Sequence, residues 1–251
     1  MKAMIFAAGL GTRLRPLTDM KPKALVEING VTLLEIVVRR LLAAGVTDLI
    51  INVHHFAEQI ASFLQAQSHF GIRIALSHEE ILLDTGGGLK KASSFFNDEQ
   101  PFFVHNVDVI SALDLKEIYR QHLAGAALAT LAVQKRQTSR YLIFDGAGQL
   151  CGWKSLQKNR VTWSRTPVGE AVELAFNGIH VISPALLQQM TEEGSFSILK
   201  TYLRLSGTGA GIRAFRMEDC YWRDVGKIEH MAQIAQEQQR FLDADFTDSR
   251  R

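Results

Sequence analysis

The feature that most constrains the fold is an apolar run that passes directly into a long polar loop. The run covers Ala3 to Ala8, and the loop contains Gly9 and Gly11 before any apolar periodicity returns. This pattern predicts a buried strand followed by a loop whose backbone can adopt positive φ or approach a ligand closely. Exposed N–H groups in such a loop form a concavity that binds anions.

Four cationic side chains follow the two glycines in the same loop. They are Arg13, Arg15, Lys21 and Lys23. Backbone N–H groups and nearby cations together supply what a polyphosphate needs. The sequence therefore predicts a phosphate site at the end of the first strand.

Two familiar glycine motifs do not match this loop. A Rossmann fingerprint requires a third glycine three positions after Gly11, where the chain has Leu14, and no G-K-[ST] of a Walker A loop is present. The missing glycine disfavours a dinucleotide-binding oxidoreductase, which is one alternative interpretation.

Composition indicates a globular protein with a local anionic ligand. The 251 residues include 28 basic and 26 acidic side chains, a balance that argues against a nucleic-acid-coating surface. Cys151 and Cys220 form no metal-binding spacing and are interpreted as reduced. Because the sequence contains neither a signal-peptide pattern nor an apolar stretch of about 18 residues, we predict a cytoplasmic protein without membrane contact.

Alternating strand and helix patterns predict an α/β fold. The expected architecture is a Rossmann-like mixed, mostly parallel sheet flanked by helices, with a more antiparallel, β-rich second half from about residue 126. Predicted strands cover 3–8, 48–53, 72–77, 102–107, 128–133, 141–144, 150–153, 171–182 and 212–217. Predicted helices cover 33–42, 57–67, 83–92, 115–123, 184–190, 197–205 and 227–242, followed by a frayed polar segment over 245–251.

The loop also carries a longer composite motif. It reads G-x-G-T-R-L-x-P-L-T followed by K-P-K-A-L, with Arg13, Pro16, Pro22 and Lys23 at its key positions. This string resembles the signature of the sugar-1-phosphate nucleotidyltransferases, also called nucleotide-sugar pyrophosphorylases. The resemblance covers nearly the whole chain and is closest to the short group of N-acetylmuramate-1-phosphate uridylyltransferases and mannose-1-phosphate guanylyltransferases, which lacks a C-terminal β-helix.

The resemblance implies a single nucleotidyltransferase domain with a GT-A-like fold. Residues up to about 125 would bind the nucleotide, and those from about 126 to 251 would bind the sugar. The implied substrates are an NTP, UTP or GTP in first place, and a sugar 1-phosphate, and the products are an NDP-sugar and pyrophosphate. Monomer and dimer remain equally open, and a catalytically inactive regulatory or nucleotide-sugar-binding homologue is the second alternative.

Two aspartates match the positions at which the family holds one Mg²⁺. Asp108 follows a predicted strand, although Val107 stands where the family usually has glycine, and Asp224 lies in a W-x-D-V-G element. Hard carboxylate oxygens, water and substrate phosphates are the ligands that Mg²⁺ prefers. The resemblance therefore implies Mg²⁺ as the cofactor.

The remaining site residues are also implied by matching family motifs. Arg13 would stabilise the leaving pyrophosphate, and Lys23 would hold the attacking phosphate. The nucleotide would contact Ala8, Gly9, Gly11, Thr12, Arg13, Thr85, Gly86, Gly87 and Gly88, the last four facing the base. The sugar phosphate would contact Lys23, Asn106, Lys154, Glu170, Phe176 and Gly178. For His54 and His55 we expect a capping or pocket-lining role instead of metal binding, because adjacent strand residues point apart.

Overall fold

A mixed ten-stranded sheet organises the computed structural model, which describes residues 1–218, 220–226, 228, 231 and 233–237. The strands are β1 (Lys2–Phe6), β2 (Glu27–Ile28), β3 (Val31–Thr32), β4 (Asp48–Val53), β5 (Arg73–His78), β6 (Phe102–Asn106), β7 (Val109–Ser111), β8 (Ala129–Gln134), β9 (Arg140–Phe144), β10 (Leu150–Ser155), β11 (Arg160–Trp163), β12 (Val172–Ile182), β13 (Ile212–Arg216) and β14 (Trp222–Asp224). The helices are α1 (Leu33–Ala43), α2 (Ala57–Ala66), α3 (Asp84–Lys91), α4 (Leu115–Gly125), α5 (Ala185–Gln188) and α6 (Ile198–Gly207).

The sheet combines a parallel and an antiparallel part. Its main path runs β11-β10-β9-β12-β6-β1-β4-β5, and β8 lies against β12 and β13. The ladders joining β6, β1, β4 and β5 are parallel, whereas β12 is antiparallel to β6, β8 and β9. The predicted mixed sheet with an antiparallel second half is confirmed.

Helices cover both faces of the parallel part, which explains its nearly continuous apolar strands. In β1, Ala3 and Ile5 pack into the core on the side of α1, whereas Met4 packs into the core that contains Leu89 of α3 and Tyr202 of α6. Side chains alternate between the faces of a strand, so a strand buried on both sides must be apolar at every position.

Local signals define the ends of the helices. The Thr32 hydroxyl accepts from the Glu35 N–H at 3.1 Å to begin α1, and the Asp114 carboxylate accepts from the first turn of α4. Helix α1 is followed by Gly45, whose φ of +96° is readily adopted only by glycine. The helix end predicted at Gly45 is therefore confirmed.

Several elements differ from the sequence prediction. Strands β7 and β14 have three residues each and, within the described part of the chain, pair only with each other. Strand β11 is largely exposed. None of the three therefore has a clear periodic pattern. The helix predicted over 184–190 forms only the short α5. Of the helix predicted over 227–242, residues 228, 231 and 233–237 are helical, and the remainder lies outside the described residues, as does the segment 245–251.

The helices in the described part of the chain are short, from four to eleven residues. None of its helices has both the length and the hydropathy needed to cross a bilayer.

A buried carboxylate fixes the loop that supports the start of α3. Glu192 accepts from Arg204 Nε at 2.8 Å and from the Thr201 hydroxyl at 2.9 Å, while Lys90 Nζ donates to its carbonyl at 2.6 Å. Four residues further on, the Phe196 carbonyl accepts from the N–H of Gly86 at 2.8 Å. The loop thereby joins α3 to α6.

We expect Glu192→Gln to lower the free energy of unfolding by about 1 to 3 kcal/mol at pH 7, because it weakens hydrogen bonds to a charged group. Burial raises the pKa of Glu192, but bonds from Arg204 and Thr201 outweigh this and lower it from 4.5 to about 2. The stabilisation is therefore complete above about pH 4.5 and is lost as the pH falls towards 2. Urea denaturation at several pH values measures this, with the exposed neighbour Glu193→Gln as control. An equal effect of both substitutions, or a pH-independent difference, would contradict it.

Candidate active site

A cavity of about 500 Å³ opens at the C-terminal ends of the parallel strands β1 and β6. It is where open α/β sheets generally bind ligands. Nine of the residues predicted for the site line it: Ala8, Gly9, Gly11, Thr12, Arg13, Lys23, Thr85, Asn106 and Asp108. The structure thus brings the glycine loop, the start of α3 and the end of β6 together.

The two loop glycines have different structural roles. Gly11 has a φ of +65°, and a Cβ there would lie 3.0 Å from Thr18 Cγ2 and 3.1 Å from Lys23 Cβ. The Thr18 hydroxyl also donates to the Gly11 carbonyl at 2.9 Å. A Cβ at Gly9 would meet no atom within 4 Å. Gly11 therefore permits tight folding of the loop, while Gly9 leaves open space for a ligand.

The four loop cations differ in their electrostatic environment. Three are paired with carboxylates: Arg15 with Asp19 at 3.3 Å, Lys21 with Glu27 at 3.7 Å, and Lys23 with Asp108. Arg13 is exposed, lines the cavity and has no ion-pair partner within the described part of the chain. Among these four cations, Arg13 is the one whose charge is available to an incoming anion.

Lys23 and Asp108 form a direct ion pair at the floor of the cavity. Lys23 Nζ contacts Asp108 Oδ2, and Lys23 is only 8% exposed. Neighbouring His105 does not supply charge, since burial lowers its pKa to about 4 and leaves it neutral at pH 7. The cation predicted for the sugar phosphate therefore compensates the carboxylate predicted for the metal.

The second predicted metal ligand reaches this region through the short ladder between β7 and β14. Asp224 is opposite Val109, and the Val225 N–H donates to the Asp108 carbonyl at 2.8 Å. Asp224 does not line the cavity, but Gly226 does, and a Cβ at Gly226 would collide with the Asp224 carboxylate. The W-x-D-V-G element thus needs its glycine because the aspartate side chain lies over it.

The donor set is suitable for a metal that also binds substrate. No group of three or more His, Cys, Asp or Glu side chains in the described residues could hold an ion unaided. Mg²⁺ is usually held by one or two carboxylates together with water and substrate phosphates. Two aspartates on adjoining segments beside a phosphate-binding loop fit that requirement.

The predicted sugar residues are only partly brought to the cavity. Gly178 abuts Asn106: a Cβ there would lie 2.7 Å from Asn106 Nδ2, and its φ is +73°. Lys154 does not line the cavity and is paired with Glu173 at 2.7 Å, and Glu170 is exposed. Phe176 packs against His180 with ring centroids 5.3 Å apart. Contacts of these residues with a sugar remain predictions.

The glycine triplet has a packing role that the sequence did not indicate. A Cβ at Gly86 would collide with the ring of Phe196, one at Gly87 with the Gly194 carbonyl, and one at Gly88 with the carboxylate of Glu79. None of the three lines the cavity, whereas Thr85, immediately before them, does. The glycines let α3 approach its supports closely and so position Thr85.

Two buried polar residues of the cavity were missed by the sequence analysis. Asn52 Oδ1 accepts from the Ala7 N–H at 2.7 Å, and Asn52 Nδ2 donates to Glu79 Oε1 at 2.8 Å. Glu79 Oε2 accepts from the Leu83 N–H at 3.0 Å, and the Glu79 carbonyl accepts from His54 Nδ1 at 2.7 Å. Their positions at the C-terminal ends of β4 and β5 were the available signal. They connect the glycine loop to the start of α3.

The fold is that of an α/β protein with a cavity at the C-terminal edge of its parallel strands, lined by a glycine loop and an exposed arginine. A putative glucose-1-phosphate thymidylyltransferase from Bacillus anthracis has a similar fold, with a TM-score of 0.78 at 18% identity, covering 96% of this chain and 95% of that one. The nucleotidyl transferase family matches residues 2–240. The chain therefore belongs to the nucleotidyl transferase family.

Curated relatives include enzymes acting on different sugars. The chain is 34% identical over 221 residues to the N-acetylmuramate alpha-1-phosphate uridylyltransferase of Caulobacter vibrioides, covering 82% of this chain and 85% of that enzyme. It is 29% identical over 232 residues to the mannose-1-phosphate guanylyltransferase catalytic subunit beta of Dictyostelium discoideum, covering 90% of this chain. The match spans only 61% of the length of that second relative.

We expect Gly178→Ala to destabilise the protein and lower its turnover, because the new methyl group would displace the Asn106 amide from the cavity wall. Gly148→Ala is a matched control, since Gly148 has a φ of +74° and a Cβ there would meet nothing within 4 Å. The control should cost about 1–2 kcal/mol for the left-handed conformation alone. Thermal unfolding and steady-state rates compare the two. Equal stability losses in the two variants, with unchanged turnover in Gly178→Ala, would contradict the contact between Gly178 and Asn106.

Proposed function

We propose that the protein transfers a nucleotidyl group from UTP or GTP to a sugar 1-phosphate with the help of Mg²⁺. The observation that carries this proposal is the convergence in one cavity of the open Gly9 backbone, the unpaired Arg13 and the Lys23–Asp108 pair. These groups suit the binding of two phosphorylated substrates side by side. Family membership and the uridylyltransferase relative support the same reaction class.

The reaction needs positioning and charge stabilisation instead of a protein nucleophile. A phosphate oxygen of the sugar 1-phosphate attacks the α-phosphorus of the NTP, the bond to the bridging oxygen of the β-phosphate breaks, and pyrophosphate leaves with the electron pair. The backbone around Gly9 and Gly11 holds the triphosphate, and Arg13 stabilises the departing pyrophosphate. Lys23 holds the attacking phosphate, because its ammonium is a compact charge on a flexible chain.

Asp108 and Asp224 would hold the metal. A Mg²⁺ there would offset charge on the α-phosphate when both substrates are bound. Lys23 already contacts Asp108, so the lysine lies where the acceptor phosphate would approach that carboxylate. Exchange of the Lys23 ammonium from the carboxylate to the acceptor phosphate would accompany substrate binding.

The two halves of the chain would divide the substrates. All described residues that line the cavity lie in the first 125 positions, except Ser195 and Gly226. This distribution favours nucleotide binding by the first half of the chain. Thr85 lines the cavity at the start of α3 and would face the base, while the buried Glu79 carboxylate supports this wall through its bonds to Asn52 and Leu83. Asn106, Gly178 and the residues around β12 would face the sugar.

Pyrophosphate release tests this function directly. We expect a matrix of four NTPs against several sugar 1-phosphates to give Mg²⁺-dependent pyrophosphate and an NDP-sugar of matching mass for a UTP or GTP pair. Asp108→Asn should abolish both products while thermal unfolding stays cooperative. An inactive homologue would bind ligands without product, and an oxidoreductase would instead change nicotinamide absorbance. Normal Mg²⁺-dependent rates in Asp108→Asn would overturn the metal assignment.

We expect Arg13→Ala to lower kcat by about 10²- to 10³-fold, because the arginine acts where charge develops on the leaving group. Arg15→Ala is the matched control, since it removes a loop arginine that is already paired with Asp19. Steady-state kinetics at varied NTP concentration measure kcat and KM separately. A raised KM at unchanged kcat would make Arg13 a ground-state binding residue instead.

A further inference from the structure

Arg136 is a half-buried cation without a role in the proposed reaction. It lies just after β8, and its Cζ is 3.8 Å from the centroid of the Trp222 ring. Its Nε donates to Asn177 Oδ1 at 3.2 Å, and its Nη2 donates to the Phe176 carbonyl at 3.0 Å. Stacking on an aromatic ring and two hydrogen bonds fix the direction of the guanidinium plane.

These contacts leave part of the guanidinium group without a partner. Within the described residues, Nη1 donates no hydrogen bond, and no carboxylate lies within ion-pair distance of Arg136. Burial lowers the pKa of Arg136, which the nearby Asp224 carboxylate opposes, and the side chain stays protonated at neutral pH. A fixed, partly desolvated cation with free N–H groups is suited to bind an oxyanion.

The neighbours of Arg136 belong to the acceptor side of the proposed site. Phe176 and Asn177 directly precede Gly178, which abuts the cavity-lining Asn106, and Trp222 precedes Asp224 by two residues. The Trp222 indole N–H also donates to the Asn177 carbonyl at 2.9 Å, so these segments form one unit. An anion that contacts Arg136 would therefore adjoin the sugar and not the triphosphate.

We propose that Arg136 binds a carboxylate carried by the acceptor sugar, so that the preferred acceptor is an acidic sugar 1-phosphate. This inference rests on the proposed function. Arg136 is outside the cavity lined by Arg13, Lys23 and Asp108, so its anion is a different group from the phosphates that react there. The planar guanidinium fork matches a carboxylate.

The other cation predicted near the sugar is unsuited to the same task. Lys154 is held by both oxygens of Glu173, at 2.7 and 2.9 Å, so its charge is already compensated. Arg136 thus combines fixed geometry with a charge that no carboxylate of the described residues contacts directly, which Lys154 lacks. One relative acts on N-acetylmuramate 1-phosphate, a sugar that carries a carboxylate, which agrees with the inference.

The test compares two acceptors that differ by the acidic substituent, N-acetylmuramate 1-phosphate and N-acetylglucosamine 1-phosphate. We expect the wild type to favour the acidic acceptor, measured both as a ratio of kcat/KM and as a ratio of Kd. Arg136→Met, which retains an apolar side chain on the Trp222 ring, should reduce that ratio by about tenfold to a hundredfold, the range for losing hydrogen bonds to a charged group. Arg136→Lys, which keeps the charge without the fork, should reduce it less.

Lys135→Met is the matched control, because it removes an exposed neighbouring cation and should leave the ratio unchanged. A purely structural role of Arg136 in holding Trp222 would lower activity with both acceptors and preserve the ratio, and this would overturn the inference. A wild type that makes NDP-sugars without favouring the acidic acceptor would overturn it as well. Absence of any NDP-sugar with every acceptor would instead refute the proposed function.

Discussion

The ion pair between Lys23 and Asp108 is the contact on which the arrangement of the site depends. Lys23 follows the glycine loop, and Asp108 follows β6, so the pair holds together two segments that leave the sheet from neighbouring strands. Both groups are largely removed from water, and a charge in such a place needs a partner. In the proposed reaction the same two groups have separate ligands, a phosphate for Lys23 and a metal for Asp108. Without ligands the two groups neutralise each other, and under the proposed function an anionic and a cationic ligand would each replace one partner.

Close packing around glycines gives the cavity its shape. A Cβ at Gly11, Gly88 or Gly178 would come within about 3 Å of a side chain that forms the wall. In each case the missing Cβ lets the side chain of a polar residue pack closely against the glycine. Behind the wall, Asn52 and Glu79 satisfy buried polar atoms and tie the loop to α3. Rigid polar walls of this kind suit catalysis by positioning, because little reorganisation is needed when charge develops.

Much of the fold could be predicted from the sequence, because long strands and helices carry periodic patterns. The strand at 48–53 was predicted with its observed bounds, and α1 was predicted to end at Gly45. The glycine loop and its cations also indicated where the candidate site would lie. Contacts between distant segments could not be predicted, because periodicity gives no sign that Lys23 meets Asp108 or that Gly86 meets Phe196. The three-residue strands β7 and β14 were missed because pairing with each other keeps them extended, and no local sequence pattern indicates that pairing.

The short ladder between β7 and β14 also determines when the site is completed during synthesis of the chain. Strand β14 follows every strand of the main sheet in the chain, so a nascent polypeptide lacks Asp224 while the glycine loop, Lys23 and Asp108 have already been made. Domains begin to fold as their residues emerge. A ribosome-bound chain at that stage contains most residues that line the cavity but only one of the two aspartates, Asp108. If both aspartates hold the metal as proposed, the pair is completed only when the last described strand of the fold has been made.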